Sequence, residues 1–168
     1  MVRRTAFKVG DAVFYPSAGV GLIEREEDVF LTGEHERCFV IRILESDATI
    51  KVPHANMERN GIRPLLPRKK IKDLFKVLSS SGRRRVTAGN PTERCRELAR
   101  KVNAGSCLEI GEVVRDLMHW KSQSNLSFEE VRLLQTGCNH LAREVAIATG
   151  ISPEDAIHKI REQIGVAA

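Results

Sequence analysis

The chain has 168 residues, 42% hydrophobic and 29% charged, with a net charge of +5. That balance excludes a disordered chain, and no apolar run approaches the roughly 20 residues that cross a bilayer, so no membrane partner is expected. The Met1–Thr5 start has two arginines but no apolar stretch behind them, which does not read as a secretory signal; a cytoplasmic protein is expected.

Residues 1–66 read as short strands. Phe7–Tyr15 alternates in part and stops at Pro16, and Gly19–Glu26 follows the turn Ser17-Ala18-Gly19. Thr32-Gly33-Glu34 is a second turn before Arg37–Leu44, and Glu45-Ser46-Asp47 a third before Ala48–Val52. Gly61–Leu65 supplies a fifth short segment. Evenly spaced short strands predict a small barrel that closes its own edges.

After Pro67 the period changes. Ile71, Leu74, Phe75 and Leu78 recur at helical spacing and predict a connecting helix. The polar run Ser79–Gly89 then reads as a linker, mobile in the free protein. It is also basic. From Arg68 to Lys101 there are twelve Lys or Arg against three acids, an excess large enough to serve as a footprint for phosphates. Charge alone leaves a solubilising linker equally open.

Residues 90–168 read as helices. Asn90, Ser106, Ser127 and Ser152 are each followed three residues later by an acid, the capping-box spacing, and Pro91 and Pro153 stand at first helical positions. The apolar faces read as Ile110, Val113, Val114 and Leu117; then Phe128, Val131, Leu134, Cys138, Leu141, Val145 and Ala148; then Ala156, Ile157, Ile160 and Ile164. Such faces need one another as cover, which predicts a helical bundle. The fold class is therefore α+β: a small SH3-like barrel over 1–66, a connecting helix and basic linker over 67–89, and an all-α bundle over 90–168.

No catalytic set is present, so an enzyme is not expected. Gly19-Val20-Gly21 lacks a further glycine and a helix, and reads as a strand-entry bend. Glu112, Asp116 and His119 read as surface charges. The four cysteines have no C-x-x-C pair, and Cys138 and His140 point to different helix faces, so neither metal nor other cofactor is expected.

The order of these motifs resembles the CarD/CdnL family of bacterial RNA polymerase-binding transcription regulators. In the first half the match is carried by F7-K-V-G-D-x-V-x-Y-P16, G19-V-G, G33-E34, I50-K-V-P53 and G61-I-R. In the second it is carried by N103-A-G105, E112-V-V-R-D-L117, L141-A-R-E-V145 and I151-S-P-E. The resemblance covers nearly the whole chain. It implies a Tudor-like domain that docks on the RNA polymerase β subunit. It also implies a helical domain on promoter DNA at the upstream edge of the bubble, stabilising the open complex without cofactor.

Carried over residue by residue, Lys51 stands at the family's basic polymerase contact, with Pro53 two residues on. Val29, Leu31 and Arg42 are rim candidates, and Val29 replaces an arginine found in relatives. On the DNA side Arg94 and Arg96 match basic helix positions, while Glu93 replaces one. Arg83, Arg84 and Arg85 are candidates to add phosphate contacts from the linker. The family's wedge tryptophan aligns with Pro91. The single tryptophan, Trp120, lies elsewhere and is expected to pack against the core. A monomer is expected. The loss of the wedge keeps a second reading open, a divergent docking module with little DNA contact. RNA binding ranks last, because aromatic residues make up only 5% of the chain.

Overall fold

The computed structural model describes residues 7–83 and 91–166. It separates into two compact units, Met1–Leu65 and Leu66–Ala168.

The first unit is one antiparallel sheet. Its strands are β1 (Ala12–Tyr15), β2 (Gly19–Leu31), β3 (Glu34–Ile43), β4 (Thr49–Pro53) and β5 (Arg63–Pro64), in the order β4-β3-β2-β1-β5. Alternation on β3 sends Phe39, Ile41 and Ile43 to one face, where Val13, Ile23, Val52, Met57 and Ile62 complete a core. Removing each such side chain from water stabilises the unit by about 1.5–3 kcal/mol. The α+β class holds, but the expected self-closure is not made by backbone pairing. Among the described residues no ladder joins β4 to β5, so both stand as edges.

The β2–β3 hairpin is longer than the sequence suggested. Strand β2 was expected to end near Glu26 and instead runs to Leu31. The two-residue turn Thr32-Gly33, with φ of 48° and 89°, joins it to β3 as a type I′ turn requires. The run Glu24–Asp28 hides this strand because most of it faces water, so no apolar alternation marks it. Cross-strand charge pairs hold it instead, among them Arg37 to Glu26 at 2.7 Å.

The second unit has five helices: α1 (Ile71–Ser79), α2 (Pro91–Ala104), α3 (Cys107–Gln123), α4 (Phe128–Thr149) and α5 (Pro153–Ile164). Helix α1 is not a free connector; it packs on α3 and α5. Full capping boxes open α3 (Ser106, Glu109) and α4 (Ser127, Glu130). At α5 only half the box forms. Ser152 accepts from the Asp155 N–H, while the Asp155 side chain makes no return bond. The shorter acid accounts for the difference. The Asn90 cap lies outside the described residues.

The expected faces of α3 and α5 hold, with Ile157 only half buried. That of α4 holds in part: Leu134, Leu141 and Val145 are buried. Phe128 and Val131, expected in the core, are 81% and 39% exposed. The buried residues are Glu130, Leu133, Leu134, Gly137, His140, Leu141, Ala142, Glu144, Val145 and Ala146. Polar residues among them disguise the buried face, and each of two has a structural reason. Glu130 closes its capping box on the Ser127 N–H, and Glu144 accepts the Leu66 N–H at 2.9 Å. Gly137 is there because α3 passes so near that a Cβ would meet Val114 Cγ2 at 2.9 Å.

Candidate functional site

The outer face of the first sheet collects all the candidate residues assigned to it. Register pairs Lys51 with Val40, Pro53 with Cys38, and Val29 with Glu36, while Arg42 and Leu31 keep the same parity. Paired residues share a face, so Val29, Leu31, Arg42, Lys51 and Pro53 lie on the side opposite the core. They do not form one spot. At about 3.3 Å per residue, Leu31 at the hairpin tip lies some 20 Å along the sheet from Lys51.

The end nearer Lys51 is a charge network. Lys51 Nζ meets Glu27 at 2.9 Å, and Arg25 bonds the same carboxylate at 2.8 Å. The hydrogen bond from Lys51, with that from Arg25, holds Glu27 below the usual carboxylate range. Arg42 bonds Glu24 at 2.6 Å and Asp47 at 3.2 Å. Glu24 reaches it because a bulge between Ile23 and Arg25 inserts an extra residue in β2. Beneath these side chains Cys38 and Val40 are fully buried although they face outward. Lys51 is thus pre-positioned on an edge strand, with its side chain half exposed. At the other end, Leu31 and Phe30 are 38% and 64% exposed. Phe30 was missed by sequence reading; its place beside a turn on a solvated strand is the signal.

In the second unit a latch forms on α3. The Arg115 guanidinium bonds Asp116 at 2.9 Å, the Val77 carbonyl at 3.1 Å and Ser80 Oγ at 2.8 Å. Asp116 also accepts the Arg83 N–H at 2.9 Å, and the Trp120 indole N–H donates to the Arg83 carbonyl at 2.7 Å. Asp116 is therefore 5% exposed and not a surface charge, and Trp120 packs as expected, at 9%. The linker, expected to be free from Ser79, is fastened at Ser80 and Arg83. Both backbone polar groups of Arg83 are consumed while its side chain remains exposed.

This latch sets a basic residue at a particular end of the bundle. Trp120 lies one turn before the end of α3, and after a four-residue connection Phe128 opens α4. Helices α2, α3 and α4 are joined by connections of two and four residues, so α2 and α4 run the same way. The α2 N-terminus therefore shares the end that carries Arg83 and Phe128. Phe128, also missed by sequence reading, is the most exposed large apolar side chain among the described residues.

The arginines of α2 do not form one grip. Arg94 and Arg96 are about 200° apart around the helix, with Arg94 half buried and Arg96 exposed. Arg100 is neutralised by Glu97 at 2.9 Å, and Lys101 faces Glu112 at 3.6 Å. Pro91 stands at the first residue of α2, where a helix start tolerates it. Arg84 and Arg85 lie outside the described residues. No group of three or more metal-binding side chains forms among the described residues, and no helix is long and apolar enough to cross a membrane.

Comparison with known proteins matches both units. Residues 7–66 fit the family model described as CarD-like/TRCF RID domain, and residues 73–161 fit CarD, C-terminal domain. The chain is also similar to "Putative transcription factor YdeB" of Bacillus subtilis (strain 168). The two are 28% identical over 146 residues, which cover 87% of this chain and 94% of that protein.

Proposed function

The chain belongs to the CarD-like family of RNA polymerase-interacting transcription regulators, and from that premise we propose a two-handed contact. The outer face of the first sheet docks on the polymerase β subunit, with Lys51, Arg42 and Pro53 at its centre and Val29 and Leu31 toward the hairpin tip. The second unit meets promoter DNA at the upstream edge of the bubble and adjusts open-complex stability. Arg83, Arg96 and the linker arginines Arg84 and Arg85 contact phosphates, together with Arg94 from the other side of α2. Phe128 offers apolar surface at the end where Pro91 begins α2.

The observation that carries this reading is the common face of the five sheet residues beside the open edge β4. An edge strand with pre-positioned charges suits addition to a partner's sheet. On the DNA side, an exposed phenylalanine near cations suits a contact in which an apolar group enters between base steps while the phosphates are held. The neutralised Arg100 and Lys101 favour a second reading, a polymerase-docking module with little DNA contact.

Open-complex lifetime with the cognate polymerase separates the two. The expected result is a longer lifetime with the wild-type chain, reduced by Arg96→Glu and by Phe128→Ala. A chain that still binds polymerase but leaves the lifetime unchanged, and gains the effect only as Pro91→Trp, belongs to the second reading. Lys51→Glu is expected to abolish polymerase binding in a pull-down; retained binding removes Lys51 from the interface.

A further inference from the structure

A cavity of about 660 Å³ opens between α3, α4 and α5, toward the bundle end that also carries Arg83 and Phe128. That size falls within the roughly 300–1,000 Å³ of small-molecule sites. Met118, Leu134 and Ile157 supply apolar wall, and Lys121 and Arg161 stand in the lining, which contains no carboxylate. Lys121 comes from the end of α3 and Arg161 from the last turn of α5, so packing alone brings the two cations to one concavity. Neither is in an ion pair with a described residue. Both fields reach the half-buried Cys138 thiol, where they oppose the effect of burial. Two cations in one lining without a carboxylate leave the hollow electropositive, which favours a bound anion.

We propose that this cavity binds a small amphipathic monoanion, an aryl or short-chain carboxylate or sulfonate. Its acid group is held by Lys121 and Arg161, and its apolar body lies against Met118, Leu134 and Ile157. Charge complementarity fixes the sign of the ligand, and the mixed wall fixes its amphipathic character. The site would give a transcription regulator a small-molecule input beside its proposed DNA-facing end.

The probe for the test is 8-anilinonaphthalene-1-sulfonate, titrated into the full chain. The expected result is one saturable site, with amide shift changes confined to residues 118–122, 134–139 and 157–161. Lys121→Gln and Arg161→Gln should each weaken binding about fivefold or more, because a charge-assisted contact is lost. Added salt should narrow the difference between wild type and variants. Both side chains are exposed, so melting temperatures should match wild type. Shift changes elsewhere, or wild-type affinity in both folded variants, would overturn the proposal. The shift map needs no variant, and neither result depends on polymerase binding.

Discussion

Asp116 holds more of the second unit together than its short side chain suggests. It neutralises a guanidinium that is itself buried and accepts the Arg83 N–H. Removing it leaves Arg115 charged and uncompensated away from water. Asp116→Ala is therefore expected to cost about 3 kcal/mol or more in urea unfolding. Trp120→Phe keeps the apolar body and loses one hydrogen bond, so about 1 kcal/mol is expected. Its sharper signature is local: amide hydrogen exchange should accelerate around Arg83 while the helices keep their protection. Cys138 gives a prediction in pH. Burial pushes its thiol from the ordinary 9.0 up to about 11. A raised folded-state value means that the unfolded chain ionises first. Its contribution is whole below about pH 9 and is lost as pH climbs through 11. Stability of the wild type should fall more steeply over that window than that of Cys138→Ala; parallel curves would show that the thiol is not the titrating group.

At the scale of elements, the β2–β3 hairpin and α4 show where sequence periodicity succeeds and where it misleads. Strand β3 was legible because Phe39, Ile41 and Ile43 alternate into one core. The outer half of β2 was not, because a strand with water on both sides has no face to advertise. On α4 the pattern found Leu134, Leu141 and Val145 but misread the first turn and missed the buried polar residues. Hydrophobic residues at 128 and 131 stand outside, and Glu130 and Glu144 stand inside with backbone N–H partners. A periodicity argument assumes that burial follows hydropathy, and it fails where a buried acid satisfies a backbone group. The exposed Phe128 has a measurable consequence. Phe128→Ser should change unfolding free energy by no more than about 0.5 kcal/mol, as is usual for surface positions, while reducing the effect on open complexes. A large loss of stability would mean that Phe128 serves the fold.

For the whole molecule, charge is unevenly spread, and its effect on DNA is testable without a promoter. A phosphate-dominated contact loses affinity linearly in log salt, by roughly 0.9 of a log unit per phosphate contact for each log unit of salt. With Arg83, Arg94, Arg96 and the linker pair in contact, a steep slope in duplex binding is expected. Arg83→Ala should reduce that slope by about one, and a flat salt response would favour the docking module. Several properties of this protein were determined by the sequence alone. They are two units of different class, the capped starts of α3, α4 and α5, and the ordered motifs that mark the family, because each rests on residues close together in the chain. The tertiary structure decided which side chains meet. It set Val29, Leu31, Arg42, Lys51 and Pro53 on one sheet face, fastened Arg83 to α3, turned Phe128 outward, and brought Lys121 and Arg161 to one cavity. Those outcomes depend on register, on the bulge in β2 and on the rotation of α4, which are fixed by contacts between residues far apart in sequence.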